Sequence, residues 1–230
     1  MSKNQNPQEN QAAEVIATTG SWLENNKKQV ITIVSAIVLV VSGYLAYTHL
    51  YQNPREEKAQ TLFTEGLQYV QQGDSLSLTI AINGEGTFPG YAKIADEFSG
   101  TEGANLANLQ AGACYAKLGK YEEAIPYLEA FNPGDDQSVS AMGLFALAQC
   151  YAEVNNIDKA ISTFQEAAEQ ADNSALSPMC LLEAGRLLES QDKKAEALKI
   201  YETIKSDYPT STLSSGSPAE IEKYIERAKK

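Results

Sequence analysis

The sequence predicts an all-α protein, a solenoid of helical hairpins preceded by one transmembrane helix. The first observation is a motif that occurs twice. Residues 114–131 read CYAKLGKYEEAIPYLEAF, and residues 150–167, shifted by 36 positions, read CYAEVNNIDKAISTFQEA. A third, weaker copy follows at 184–204. Repetition at this period is typical of stacked helix–turn–helix units. The second observation is an apolar, uncharged span near the N-terminus.

Residues 1–28 are rich in Asn, Gln, Ser and Ala, so we expect a disordered polar tail there. The transmembrane helix is predicted over residues 29–51. Its core, residues 30–50, would extend ~32 Å as an α-helix, close to the roughly 30 Å thickness of a bilayer's hydrocarbon region. A cleaved signal peptide fits worse, because the apolar run is long and lies far from the N-terminus. A buried helix of a water-soluble protein fits worse because the run has no polar face.

Charged residues at the two ends of this helix indicate its orientation. Lys27 and Lys28 adjoin the N-terminal end, whereas Arg55 and Lys58 lie beyond the other end among acidic residues. By the positive-inside rule, this distribution favours a cytoplasmic N-terminus. We therefore predict a single-pass protein of the bacterial inner membrane with its C-terminal domain in the periplasm.

The domain that follows, residues 55–230, is predicted to begin with an irregular repeat over residues 55–100. Apolar residues between 59 and 70 recur with helical periodicity. In residues 75–90, alternating Leu and Ile residues fit a short strand as well as a helix packed under the solenoid. The Gly-rich end of that segment, residues 83–90, predicts a turn. Its faint likeness to a calcium loop lacks the bidentate Glu that such loops require.

Three regular repeats and a capping helix are predicted next. Their boundaries lie at about residues 104–136, 139–173 and 175–210, with the capping helix over residues 218–229. Ser217 and Pro218 fit the N-cap and the first turn of that last helix. We expect Ile221 and Tyr224 to cover the exposed core of the last hairpin, as the end of a solenoid requires.

These repeats resemble the tetratricopeptide repeat family. The string LGKYEEAI, residues 118–125, carries the likeness clearly, and the second copy matches the family's small and aromatic positions best. The matching positions are Gly112, Tyr115, Ala124 and Leu128 in the first copy, Leu144, Leu147, Ala148, Tyr151, Ala160, Phe164 and Ala167 in the second, and Leu181, Gly185, Ala197, Tyr201 and Pro209 in the third. The resemblance implies a curved scaffold that binds other proteins.

The layout of the whole chain is similar to a narrower group. A polar tail, a span preceded by two lysines and an acidic repeat domain resemble the YfgM-like ancillary subunits of the Sec translocon, and the Asn-Gly-Glu-Gly insertion resembles membrane-anchored members from Bacteroides-type bacteria. This resemblance implies a membrane-anchored scaffold accessory to protein export or periplasmic folding, with Sec translocon subunits or periplasmic chaperones as partners. A scaffold for envelope assembly or cell division, without translocon contact, is the alternative.

Composition and motifs argue against other function classes. The net charge of −12 disfavours nucleic acid as a partner, because phosphate binding needs clustered Lys and Arg. We find no catalytic, metal-binding or cofactor motif, and the single histidine, His49, lies at the membrane boundary, so we predict that the protein is no enzyme and needs no metal or cofactor. Cys114 and Cys150 occupy equivalent repeat positions and are predicted to be small buried hydrophobic residues.

The binding surface is predicted on the concave face, which the first helix of each hairpin lines. The candidate residues are Leu109, Lys117, Met142, Phe145, Gln149, Leu182 and Arg186. Met142 and Phe145 are the best candidates for an apolar anchor site, since flexible Met suits varied ligands. For both residues, packing against a neighbouring helix is the alternative. One subclass of the family clamps a terminal carboxylate with Lys and Asn, but Leu109, Ala113, Phe145 and Gln149 occupy those places here.

Overall fold

The structure, a computed structural model, describes residue 22 and residues 25–134, 136–215 and 219–230. The chain divides into two compact units, Met1–Pro54 and Arg55–Lys230. In the first unit, helix α1 spans Lys27–Tyr47, and a π-helical turn follows at Thr48–Gln52. Neither element contains a buried residue. The helical stretch that includes α1 is long and apolar enough to cross a membrane. Most of the tail predicted to be disordered lies outside the described residues.

The remaining described chain is helical. Its helices are α2 (Asn53–Gln72), α3 (Ser75–Asn83), α4 (Tyr91–Glu97), α5 (Glu102–Lys117), α6 (Tyr121–Ala130), α7 (Gln137–Glu153), α8 (Ile157–Ala171), α9 (Ser177–Ser190), α10 (Lys194–Asp207) and α11 (Glu220–Ala228). From α4 to α11, each helix packs against the next along the chain. Successive hairpins therefore lie side by side, and no β-strand occurs among the described residues. The predicted all-α class, a solenoid of helical hairpins, is confirmed.

The same close helix approach recurs inside the regular hairpins. A Cβ added to Gly112 of α5 would lie 2.5 Å from Cγ of Leu128 of α6. A Cβ on Gly185 of α9 would collide with the ring of Tyr201 of α10. In both hairpins the large residue follows the small one by 16 positions. The middle hairpin has Ala148, which is fully buried, at the corresponding position. A small residue is needed there because the interior is close-packed and leaves no room for a longer side chain.

The segment with alternating Leu and Ile residues is a helix, not a strand. Helix α3 begins after Asp74, whose carboxylate accepts hydrogen bonds from the backbone N–H groups of Leu76 and Ser77, both at 3.0 Å. This N-cap satisfies two donors that the start of a helix leaves unpaired. Leu78 and Ile82, four residues apart, are buried on one side of the helix, whereas Leu76 is 71% exposed.

The loop between α3 and α4 is a tight structural turn. Glu85 and Phe88 form an isolated antiparallel bridge. Gly84 and Gly90 have φ angles of 89° and 85°, and a Cβ on either would collide with the backbone of the opposite side of the loop. Glycine is therefore required at both positions. The turn buries Phe88 against the ring of Tyr91, with ring centroids 5.7 Å apart, so the predicted turn is confirmed and has a packing role.

Residues at the start of α2 hold the N-terminus of α5. The carboxylate of Glu56 accepts hydrogen bonds from the backbone N–H groups of Glu102 and Gly103, at 2.8 and 3.0 Å. The guanidinium of Arg55 donates to the carbonyl oxygen of Glu97 at 2.9 Å. A carboxylate at this place satisfies unpaired donors and interacts favourably with the helix dipole. These residues, which flank the apolar span in the sequence, therefore also stabilise the domain.

Helix α11 covers the end of the last hairpin. Ile221 is fully buried, and the ring centroid of Tyr224 lies 5.4 Å from that of Tyr201. The expectation that Ile221 and Tyr224 cover this hairpin is confirmed. Ser217 and Pro218, the predicted cap, lie outside the described residues.

Candidate binding groove

An apolar groove of about 530 Å³ lies in the repeat domain. Its walls come from α5, α7 and α9, the first helices of the three regular hairpins, and from the end of α2. The residues that line this apolar groove are Val70, Leu109, Gln110, Ala113, Lys117, Ala141, Met142, Phe145, Ala146, Leu176, Met179 and Cys180. Of the predicted binding residues, the apolar groove thus brings together Leu109, Lys117, Met142 and Phe145.

Helix α5 presents one side to the groove. Leu109, Ala113 and Lys117 are spaced by four residues, which is about one helical turn. Leu109 and Ala113 are half-buried, whereas Lys117, the last residue of α5, is exposed. The apolar wall formed by α5 therefore ends at an exposed lysine.

Helix α7 contributes Met142 and Phe145. Met142 is 60% exposed, so its side chain lines the groove without entering the core. Phe145 is half-buried, and its ring packs edge-on against Phe164 of α8, with centroids 5.2 Å apart. The two alternatives for Phe145 are thus combined in one residue, which packs against a neighbouring helix and also lines the groove.

Met179 and Val70 line the groove but were absent from the sequence prediction. Met179 is 51% exposed and follows Met142 by 37 residues, the interval that also relates Ala160 to Ala197. Applying the repeat shift to Met142 would have identified it. No such shift identifies Val70 as a groove residue, because the irregular first repeat does not share the register of the others.

A second groove, of about 490 Å³, adjoins the first. The residues that line both are Ala113, Lys117 and Ala146. Gln149, predicted to bind a partner, lies in this second groove together with Glu153 and Glu183. We call it the acidic groove. The polarity of the surface therefore changes at Lys117, from apolar on one side to carboxylate-bearing on the other.

Two predicted binding residues line neither of these grooves. Leu182 is half-buried and packs against the core of the last two hairpins. Arg186 is exposed and forms an ion pair with Glu183 at 3.1 Å. Leu182 therefore resembles a core residue, and Arg186 neutralises a carboxylate at the edge of the acidic groove.

The cysteines add no charge to the apolar groove. Burial raises the pKa of the Cys180 thiol, which lines the groove, to about 11. The pKa values of Cys114 and Cys150 are also raised by burial to about 11. All three thiols are free and buried, so the prediction that Cys114 and Cys150 are small buried hydrophobic residues is confirmed. Among the described residues, no group of three or more His, Cys, Asp or Glu side chains could hold a metal ion.

Two family models match this chain. One, described as "Tetratricopeptide repeat-like domain", matches residues 20–163, and the other, described as "Tetratricopeptide repeat", matches residues 179–211. The first match alone covers more than half of the 230 residues. No curated protein matches the chain. Together, the two matched ranges include at least part of every helix that lines the apolar groove.

Proposed function

Because the chain belongs to the tetratricopeptide repeat-like domain family, whose repeats serve as scaffolds for protein–protein interaction, we propose that residues 55–230 bind a partner protein in the apolar groove. One observation carries this proposal. Met142 lies on α7 and Met179 on α9, the first helices of successive hairpins. Their side chains are 60% and 51% exposed, and both line the same groove. Contiguous apolar surface of this kind gains free energy when a partner covers it. The flexible thioether side chains adapt to partners of different shape.

Substituting the two methionines by glutamate tests the proposal. Each carboxylate would have to lose its water when a partner covers the groove, so Met142→Glu and Met179→Glu should each weaken binding roughly tenfold or more. Since both side chains are exposed, helical content should not change. Binding can be measured in native membranes by photocrosslinking from Gln110, which also lines the groove.

Leu76→Glu is the matched control, because Leu76 is 71% exposed but does not line the groove. The control should give the wild-type amount of crosslinked partner. Equal crosslinking by the two methionine variants and the wild type would contradict the proposal. Equal loss in all three variants would also contradict it, because the effect would then follow charge and not the groove.

We further propose that α1 anchors this domain in the bacterial inner membrane, with the N-terminus in the cytoplasm and the domain in the periplasm. The exposure of α1 supports the anchor, since Leu39 and Val40 in its middle are 73% and 72% exposed. Lys27 and Lys28 before the span support the orientation. Protease added to spheroplasts should digest residues 55–230. A domain that stays protected until the spheroplasts are lysed would show the opposite orientation.

Within that compartment, we propose a role accessory to protein export or periplasmic folding. The chain layout, which resembles ancillary subunits of the Sec translocon, supports this role. Purification of the full-length protein in mild detergent should recover translocon subunits or periplasmic chaperones in amounts that Met142→Glu reduces. Recovery of envelope-assembly or cell-division proteins instead, with no translocon subunit, would favour the alternative scaffold.

A further inference from the structure

Among the described side chains that line the apolar groove, only Lys117 is charged. It ends α5 and lines both the apolar groove and the acidic groove, so this residue lies at their border. A ligand in the apolar groove therefore meets methionine, leucine and phenylalanine side chains and, at one edge, a single cation.

The ammonium of Lys117 is available to a ligand. In the described part of the chain, it forms no ion pair with a carboxylate, and its side chain is exposed. Of the two described carboxylates in the acidic groove, Glu183 is paired with Arg186, and Glu153 forms no ion pair with Lys117. A carboxylate that binds beside Lys117 therefore gains an ion pair without breaking one. The pair is strengthened where the neighbouring apolar surface excludes water.

The charge of the rest of the domain restricts where a ligand can carry a carboxylate. Residues 55–230 contain 15 Lys and Arg against 27 Asp and Glu, a net charge of −12. Carboxylates of a ligand are repelled over most of this surface, and the position beside Lys117 is an exception. Charge complementarity of this kind mainly fixes the register and specificity of binding.

From this arrangement, and resting on the proposed function, we infer that the groove binds an amphipathic protein segment with a side-chain carboxylate next to its apolar anchor residues. The apolar anchors pack on Met142, Phe145 and Met179. The Asp or Glu side chain lies at the border of the two grooves and pairs with Lys117. A segment with a lysine or arginine in that place would bring two cations together and would bind more weakly.

Selection from a displayed library of random peptides tests this inference. The peptides are embedded within a carrier protein, so that they have no free terminal carboxylate and only side-chain charges matter. The library is selected on the full-length chain in lipid nanodiscs, which avoids detergent in the groove. Parallel selections use Lys117→Glu, Met142→Glu and, as a matched control, Lys120→Glu. Lys120 is an exposed lysine three residues further along that lines neither groove.

We expect the wild type and Lys120→Glu to enrich peptides with Asp or Glu beside apolar residues. Lys117→Glu should enrich Lys or Arg in that place. For a peptide selected on the wild type, replacing its acidic residue by Lys should weaken binding roughly fivefold or more, because a partly exposed ion pair is lost and two cations are brought together. The Lys117→Glu variant should reverse that preference, while Lys117→Arg should keep it.

The possible failures are distinguishable. If the peptides enriched on the wild type are enriched equally on Met142→Glu, the groove is not the binding surface and the proposed function fails with the inference. If enrichment depends on Met142 but shows no acidic preference, or a preference that Lys117→Glu leaves unchanged, the inference is overturned and the proposed function stands. Enrichment of peptides that match apolar stretches of this chain's own sequence, without an acidic preference, would also overturn the inference. A second copy of the chain would then be the occupant of the groove.

Discussion

At Gly185, the fold depends on the absence of a side chain. A Cβ at this position would collide with the ring of Tyr201, which is fully buried and cannot move aside freely. Gly185→Ala should therefore destabilise the domain by about 1–3 kcal/mol through overpacking, less the roughly 0.5–1 kcal/mol that alanine gains over glycine within a helix. Urea unfolding followed by circular dichroism measures the difference.

Gly134→Ala is the matched control, because a Cβ there meets no atom within 4 Å. It should change the free energy of unfolding by less than about 0.5 kcal/mol. A Gly185→Ala variant as stable as the control would show that α9 and α10 can move apart without loss of stability. The close contact between Gly185 and Tyr201 would then not be required by the fold.

The three cysteines should be inert in the folded protein. Burial raises the pKa of Cys114, Cys150 and Cys180 to about 11, so at pH 8 only about one thiol in a thousand is ionised. The thiolate is the reactive form, and the sulfur atoms are also shielded from reagent. Ellman's reagent should label none of them in native protein and all three in guanidinium chloride. Rapid labelling of a native thiol would disprove this burial.

Two ion pairs in the described part of the chain join α11 to the last hairpin. One links Lys205 to Glu222 at 2.7 Å, and the other, between Arg227 and Glu189, is the more buried. The guanidinium of Arg227 donates from Nε to Glu189 at 2.9 Å and also pairs through Nη2. The hydroxyl of Tyr201 donates to the same carboxylate at 2.8 Å. The side chain of Glu189 is only 13% exposed. The hydrogen bond from Arg227 holds the pKa of Glu189 below its ordinary value of 4.5.

This pair should give the domain a pH-dependent stability. A carboxyl group with a lowered pKa stabilises the fold above its ordinary pKa, and that contribution is lost as the pH falls through the folded value. Glu189→Gln should therefore lower the free energy of unfolding by about 1 kcal/mol at pH 7, a modest amount because Arg227 is half exposed. The difference from the wild type should shrink as the pH falls below 4.5, the ordinary value for this group.

The control for the pH profile is Glu226→Gln. Glu226 pairs with Lys229 at 3.4 Å, but its side chain is 66% exposed. Its removal should change stability by less than about 0.5 kcal/mol. If the difference between Glu189→Gln and the wild type is the same at pH 3 and pH 7, the ion pair does not hold α11.

The hairpins were predictable from the sequence because their small and large residues recur at a fixed interval. Gly112 with Leu128 and Gly185 with Tyr201 show that interval, and only close helix packing explains it. Helix α3 could not be separated from a strand, because Leu or Ile at every second position fits both periods. The carboxylate of Asp74 caps the helix by accepting hydrogen bonds from the N–H groups of Leu76 and Ser77, which favours the helix over a strand. Hydrophobic periodicity does not reveal such a cap.

The groove was predictable only where residues share the register of the repeat. Leu109 and Phe145 are 36 positions apart and line the same groove. Met142 and Met179, which also line it, are 37 positions apart, an interval that differs from the first by one residue. Leu182 shares this register too, yet it lines neither groove and packs half-buried against the core of the last two hairpins. Val70 comes from the irregular first repeat, so only the tertiary structure brings it to the groove.

The cores of the domain and the apolar span are built from separate residues. Every member of the three core clusters lies between residues 59 and 228. No described residue of α1 is buried. Residues 30–50 contain eleven Ile, Leu and Val residues, which favour insertion into a bilayer by about 3–7 kcal/mol in total. Insertion of the span into lipid is therefore strongly favourable, and the span contributes no residue to the three core clusters.

Deleting residues 29–50 should therefore release a water-soluble, helical domain. Cell fractionation with a carbonate wash should place this variant in the supernatant, and its urea unfolding midpoint should match that of a domain beginning at Arg55. The control removes residues 2–20 and keeps the span, so it should stay in the membrane pellet. Recovery of the residue 29–50 deletion in the washed pellet would mean that residues 55–230 bind the membrane by themselves. That outcome would be unexpected for a domain with a net charge of −12, because anionic lipid repels acidic surfaces.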